Sequence, residues 1–187
     1  VIDRNIDVLR RIDHVLGARV MTVFSNRDNV EQQVLRADLV IGGVLIPGAA
    51  APKLITRDMV DAMKPGSVIV DVAIDQGGCC ETARATTHAD PTYMVGNVVH
   101  YCVANMPGGV PRTSTYALNN ATLPFALQIA DKGWRRALED DEHLRNGLNV
   151  AFGKLTCREV AEDLGYPYHD ALAVIGGDRK STRLNSS

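Results

Sequence analysis

The chain has 187 residues, 45% of them hydrophobic and 22% charged, with a formal net charge of −2. That length suits one ordinary domain with a real core, or one domain plus an appendage, and the composition is that of a soluble globular protein. The balanced charge, with no basic stripe, argues against nucleic acid as a partner; no apolar run reaches bilayer-spanning length, and no signal peptide opens the chain.

The opening Val1-Ile2-Asp3 passes from apolar to acidic without a lead-in and reads as the end of a strand that begins upstream. "NIDVLRRIDHVLG" then sets Ile6, Leu9, Ile12, Val15 and Leu16 on one helical stripe that stops at Gly17. "RVMTVF" is a short predicted strand. Asp28 and Glu31 have the spacing of a capping pair for a helix through "VEQQVLRA". "DLVIGGVLI" predicts a buried strand ending at Pro47-Gly48. Thr56 is placed to cap "RDMVDAM", which "KPG" at 64–66 ends. "SVIVDVAI" is the next strand and "VVHYCVA" at 98–104 another. Apolar strands thus alternate with amphipathic helices, the pattern of a parallel sheet with crossover helices. Beyond residue 112 only helical signals remain. Thr122, with a proline two positions on, predicts the start of "TLPFALQIADKGWRRAL". Thr156 and Glu159 have capping-box spacing before a helix that ends at Gly165. The final "GGDRKSTRLNSS" has no periodicity; it is expected to be disordered, and it resembles read-through from a cloning adaptor.

Four segments carry candidate chemistry. Asp3 stands where a Rossmann unit places an acid at the end of its second strand, accepting from the adenosine ribose hydroxyls and repelling a 2′-phosphate; the alternative is an acid placed by the helix dipole. "GGVLIPGAAAPKLI" at 42–55 ends a strand in small residues that let a flat ring approach the backbone, or simply makes a tight turn. In "VDVAIDQGG", Asp71 falls mid-strand and needs partners if buried. Asp75 falls at the carboxyl end, where open α/β sheets bind ligands, unless it only turns the chain into Gly77-Gly78. "YCVANMPGGVPRTST" at 101–115 brings Asn105, with the donor and acceptor a nicotinamide amide requires, to a turn. His14, His88, His100, His143 and His169 show no ligand spacing and read as surface or satisfied core residues. Cys79, Cys80, Cys102 and Cys157 form no CxxC pair, so no metal is expected, and such thiols fit a reducing, cytoplasmic setting.

Taken together, "DRNIDVLRRID", "RADLVIGGVLIPGAAAPKLI", "MKPGSVIVDVAIDQGG" and "HYCVANMPGGVPRTSTYALNNATLP" resemble the alanine dehydrogenases over roughly residues 1 to 170. The NAD(P) transhydrogenase alpha chain is the neighbouring family and the alternative reading, with a non-catalytic nucleotide-binding module as a third. The resemblance implies reversible conversion of L-alanine to pyruvate and ammonium with NAD, in a homo-oligomer that is a hexamer by family resemblance. It implies that Asp3 binds the adenosine ribose, Ser25 lies near the adenine, and Val44 and Leu45 line the cofactor cleft. Val72, Ala73, Ile74 and Asp75 approach the nicotinamide ribose, with Asp75 also an active-site acid. Arg84 contacts the cofactor, and Val103, Ala104, Asn105 and Met106 border the nicotinamide. The family's glycine fingerprint and its substrate domain, with an arginine, a lysine and the catalytic histidine, match nothing in these residues. The expected fold is therefore α/β: an incomplete Rossmann-type doubly wound parallel sheet lacking its first strand over 1–112, then C-terminal helices over 113–175 that pack toward the substrate domain, then a tail at 176–187.

Overall fold

A computed structural model describes residues 1–46 and 50–184, with side chains placed through residue 177. Pro47, Gly48 and Ala49, on which part of the expected cofactor loop falls, lie outside the described residues, as do 185–187. The chain divides into two compact units, one of Val1–Leu45 with Ala50–Met106 and one of Ile46–Ala49 with Pro107–Ser187.

The first unit is built from β1 (Ile2–Asp3), α1 (Ile6–Leu16), β2 (Val23–Phe24), α2 (Arg27–Arg36), β3 (Leu39–Gly42), α3 (Arg57–Ala62), β4 (Val68–Asp71), β5 (Thr92–Val95) and β6 (Val98–Tyr101). β1 and β2 pair in parallel. A second sheet has the order β3-β4-β6-β5, in which β3, β4 and β6 are parallel and β5 is antiparallel to β6. This is the Rossmann-type α/β arrangement expected, and among the described residues no strand pairs with the outer edges of β1 and β3. The core joins the layers: Val30 and Val34 of α2 and Met59, Val60 and Met63 (α3 and the residue after it) pack with Ile69 of β4 and Val98 of β6, and Ile2 and Val40 lean on the same cluster.

Local chemistry explains where elements begin. Asn5 caps α1, its side chain accepting from the amides of Asp7 and Val8 at 2.9 and 3.3 Å. The helix stops at Gly17, whose φ of 56° suits a residue without a Cβ. Its stripe is less buried than expected: Leu9 is buried, but Ile6 and Val15 are exposed. Asn26, not Asp28, caps α2, accepting from the Asn29 amide at 2.8 Å, and Asp28 sits in the first turn where the helix dipole favours an acid. Thr56 caps α3 as expected.

Three strands depart from expectation. β3 is four residues long and is an edge, so Leu39 and Ile41 are exposed rather than buried. β4 ends at Asp71; the next five residues, Val72–Gln76, form a 3₁₀ turn. The Asp71 side chain accepts from the Ala73 amide at 3.1 Å and so turns the chain out of the sheet. Asp71 is therefore the last residue of its strand, and Asp75 lies in the turn beyond it. β5 was not foreseen. Its signal is Gly96-Asn97 between two β-prone runs, the spacing of a two-residue hairpin that pairs Val95 with Val98.

The second unit carries α4 (Pro111–Lys132), α5 (Trp134–Asp140), α6 (Glu142–Asn146), the hairpin of β7 (Val150–Ala151) and β8 (Lys154–Leu155), α7 (Arg158–Leu164) and α8 (Ala171–Leu184). The helix expected to start at Thr122 starts eleven residues earlier, with Pro111 at its first position and Pro124 inside it. Thr122 is no cap: its hydroxyl donates to the Leu118 carbonyl one turn back at 2.8 Å. Gly133, at φ 75°, separates α4 from α5. The capping box expected at α7 is absent, because the buried Thr156 hydroxyl donates to the Leu148 carbonyl at 2.6 Å and Cys157 occupies the cap position. The segment 176–184, expected to be unstructured, continues α8. Asp170 starts that helix by accepting from the Ala173 amide at 2.9 Å.

Candidate functional site

The register of the parallel strands gathers most of the candidate residues at one edge. Gly42 of β3 is level with Asp71 of β4, and Val70 is level with Tyr101 of β6. The segments that leave these strand ends, Gly43–Leu45, Val72–Asp75 and Cys102–Met106, therefore all issue from the carboxyl edge of the sheet, where α/β proteins bind ligands.

Within that edge the residues divide by exposure. Val44 is partly buried against Ala51, Ala73 and Cys79, whereas Leu45 is 74% exposed. On the 3₁₀ turn, Ala73 and Ile74 are buried and hold the turn in place, while Val72 is 49% exposed. Asp75 is exposed, and among the described residues no hydrogen bond or ion pair engages its carboxylate. Val103 is fully buried, backbone and side chain alike, beneath the residues that follow it; Ala104 and Asn105 are exposed and Met106 half-buried. Asn105 holds φ at 60°, an uncommon conformation for a residue with a side chain, and its carbonyl receives the Nε2 of His88 at 2.9 Å. Arg84 follows the site loop, and its guanidinium stacks on the Tyr93 ring 3.9 Å from the centroid.

Asp3 and Ser25 form a separate pair at the carboxyl ends of β1 and β2. The Ser25 amide donates to the Asp3 carbonyl at 2.9 Å. Asp3 is half-buried, and its Oδ1 accepts from the Asn5 amide at 2.7 Å. One oxygen is thus partly committed to the entry of α1, and Oδ2 makes no other bond among the described residues.

Beneath the 72–80 segment lies a polar knot whose extent the sequence did not reveal. Asp71 is 0% exposed, and it accepts from the amides of Ala73, Cys79 and Cys80 at 3.1, 2.9 and 3.1 Å. Cys79 donates its thiol to the same carboxylate at 3.6 Å; burial, and then the neighbouring Asp71, push that thiol up to about 12. Burial also raises the thiols of Cys80 and Cys102, so none of the three is a ready nucleophile near neutral pH. Fit around Asp71 is tight. A Cβ on Gly78, which has a φ of 76°, would stand 2.8 Å from Asp71 Oδ2, and one on Gly42 would overlap Cys79 Sγ.

His100 belongs to a buried chain, not to the open edge. Its Nε2 meets Thr82 Oγ1 at 2.7 Å, and Thr82 meets Cys80 Sγ at 3.1 Å. Burial holds the imidazole below its ordinary value, which keeps it neutral and far from general acid–base work. The unfolded chain binds this proton near pH 6.5 and the folded one does so only at lower pH, so the stability from the neutral ring is complete above about 6.5 and is lost as pH falls below it. The urea midpoint of the complete enzyme is expected to fall from pH 7.5 to 5.5, with a slope from this group of at most about 1.4 kcal/mol per pH unit, and to fall less in His100→Gln. The same decline in both proteins would assign the pH dependence elsewhere.

A family model described as alanine dehydrogenase/PNT, C-terminal domain, matches residues 1–158. The chain belongs to this family. It is 62% identical over 176 residues to the alanine dehydrogenase of Halomonas elongata, covering 94% of this chain and 47% of that protein. To the alanine dehydrogenase of Bacillus subtilis it is 59% identical over 169 residues, covering 90% and 45%. A solved L-alanine dehydrogenase superposes with a TM-score of 0.76 at 48% identity, over 88% of this chain and 45% of that one. A transhydrogenase from Sinorhizobium meliloti aligns less well, with a TM-score of 0.53 at 33% identity over 62% of this chain and 32% of that one. The chain spans about half the length of the curated alanine dehydrogenases it matches.

Proposed function

We propose that this chain supplies the NAD-binding half of an alanine dehydrogenase that interconverts L-alanine with pyruvate and ammonium. A substrate-binding half joined to it in the complete enzyme brings the alanine site. The observation that carries this reading is the meeting of 43–45, 72–75 and 102–106 at the carboxyl edge of β3, β4 and β6, with an unengaged Asp75 carboxylate among them. The transhydrogenase alternative is less well supported, because its solved representative superposes with lower TM-score, identity and coverage. No helix among the described residues is long and apolar enough to cross a membrane.

The donor set fits a dinucleotide. Two carboxylates, Asp3 at the end of β1 and Asp75 in the turn that follows β4, have acceptor capacity for ribose hydroxyls, and small residues lie beside Asp75. When bound, NAD supplies the hydride acceptor. The chain's own residues do the rest of what this half contributes. Asp3 accepts from the adenosine ribose and Ser25 lies by the adenine. Val44, Leu45 and Val72 flank the ring system, and Ala73 and Ile74 hold the turn that presents Asp75. Asp75 orients the second ribose and, as a free carboxylate at the open edge, accepts or returns a proton there. Asn105 presents its amide to the carboxamide, with Ala104 and Met106 alongside and the buried Val103 supporting them from beneath. Arg84, stacked on Tyr93, steadies the outer wall. In this reading the complete enzyme is a cytoplasmic homo-oligomer, a hexamer.

Titration of the complete enzyme with both cofactors tests the cofactor assignment. Asp3→Ser is expected to weaken NAD binding about 10-fold or more, since a hydrogen bond to a charged group contributes about 1.5–3 kcal/mol, and to narrow the preference over NADP. Unchanged NAD affinity removes Asp3 from the site. The reading as a whole fails if the complete enzyme forms no NADH from alanine.

A further inference from the structure

We infer that Asp71 and Lys53 are a pair of positioning residues that fix the site loop by holding its backbone donors and its backbone acceptors separately. The inference rests on the reading of Asp75 as a site residue. Neither Asp71 nor Lys53 faces a ligand in that reading.

The loop from Ala73 to Cys80 leaves the sheet and returns without a ladder to satisfy its peptides. Two left-handed glycines in succession, Gly77 and Gly78, fold it sharply. Buried peptide groups must still be bonded. The amides of Ala73, Cys79 and Cys80 converge on the one buried carboxylate of Asp71. The carbonyls of Gly77, Gly78 and Cys80 converge on the one ammonium of Lys53, Gly78 at 2.8 Å and Cys80 at 3.4 Å. Cys80 is held by both groups, through its amide and through its carbonyl. A carboxylate has only acceptors and an ammonium only donors, so each can gather just one half of the peptide set.

Asp75 lies between the two kinds of anchor. Two residues before it, the Ala73 amide is held by Asp71; two residues after it, the Gly77 carbonyl is held by Lys53. The space around Asp71 is filled closely enough that a Cβ on Gly78 would stand 2.8 Å from Asp71 Oδ2. Lys53 itself arrives on a segment zipped to this loop, with the Ala51 amide donating to the Gln76 carbonyl at 2.9 Å and the Leu54 amide to the Cys79 carbonyl at 2.8 Å. Charge-assisted bonds of this kind are roughly twice as strong as neutral ones. Loss of either anchor leaves Asp75 in place chemically but loosens where it stands, and a misplacement near 1 Å costs on the order of 100-fold in rate.

The complete enzyme is compared as wild type, Lys53→Met, Lys53→Arg and Asp71→Asn, with Lys64→Met as a control. Lys64 pairs with Asp38 at 2.9 Å ahead of β3 and β4, and is another exposed lysine, outside the loop. Two readouts are taken: amide hydrogen exchange across Ala73–Cys80, and kcat and KM per folded molecule. Lys53→Met is expected to speed exchange in that loop about 10-fold or more and to lower kcat about 10-fold, with KM for alanine moved less than about threefold. Lys53→Arg is expected to restore most of both, and Lys64→Met to alter neither. Asp71→Asn, where it folds, exposes the Ala73 or the Cys79 and Cys80 amides to fast exchange; where it does not fold, Lys53→Met decides. Exchange or kcat within twofold of wild type in Lys53→Met overturns the inference. An enzyme that oxidises no alanine even as wild type overturns the functional reading instead, and the exchange measurements still decide whether the two residues fix the loop.

Discussion

Asp75→Asn is expected to lower kcat of the complete enzyme by about 100-fold or more, the usual yield of one positioned acid–base group, while its thermal transition stays within about 2 °C of wild type. The two halves of that expectation have separate physical sources. Asp75 is exposed and its carboxylate makes no bond among the described residues, so exchanging it for an amide breaks nothing in the fold. The turn that carries it is held by the buried Ala73 and Ile74 and by the bond from the Ala73 amide to Asp71, none of which the substitution touches. The amide keeps the shape and the ability to bond a ribose hydroxyl, but it can neither take up a proton at working pH nor present a negative charge. The cofactor dissociation constant is therefore expected to move less than kcat. Steady-state kinetics, cofactor titration and a melting curve on one preparation check all three. A variant with wild-type turnover would reduce Asp75 to a turn residue and take the chemical role away from this edge.

The strand ends around this candidate site were legible because they depend on period and punctuation. An apolar run that breaks at an acid and then meets Gly77-Gly78 says that a strand has ended and that something polar stands at its end. β4 ends at Asp71 instead, and Asp75 follows in the 3₁₀ turn Val72–Gln76, nearer the sheet than a continuous strand would have carried it. What could not be read was the cause of the break. Asp71 looks like an acid in the middle of an apolar strand; only the folded chain reveals that three amides from up to nine residues away converge on it. The clamp by Lys53 is harder still, since it joins residues 24 to 27 positions apart and an exposed lysine carries no signal in sequence. Helix starts failed for a related reason. Asn26 and Asp28 are both good capping types and the folded chain uses Asn26, whereas Thr156 is spent on the Leu148 carbonyl and leaves the cap position to Cys157, whose side chain makes no cap bond. Pro124 misled in the opposite direction, because a proline usually near a helix start here sits in the interior of a 22-residue helix.

The 187-residue chain produced alone is expected to show no NADH formation from alanine and to associate rather than melt as a monomer. β1 and β3 each pair on one edge only among the described residues, so their remaining amides and carbonyls are open to pairing with another chain. The face of β3 beside that edge is apolar, with Leu39 and Ile41 exposed. The larger liability is α4. None of its 22 residues is buried, and Tyr116, Leu118, Leu123, Phe125, Leu127 and Ile129 are all exposed, Leu118 by 66%. Full burial of one such side chain is worth about 1.5–3 kcal/mol, so what α4 leaves unburied rivals the whole stability of an ordinary domain, about 5–15 kcal/mol. A helix of that composition does not remain in water by itself; it finds another apolar surface, either the rest of a complete enzyme or another copy of the same fragment. The edge that holds Asp75 would then lack the alanine site opposite it even where the loop is formed. Light scattering during size-exclusion chromatography, a thermal scan and an NADH assay with alanine and NAD test this directly. Association without turnover in the fragment, and turnover once the substrate-binding half is supplied on the same polypeptide, is the expected pair of results. A monomer with a cooperative transition and measurable turnover would overturn it and require that residues within this chain complete the alanine site.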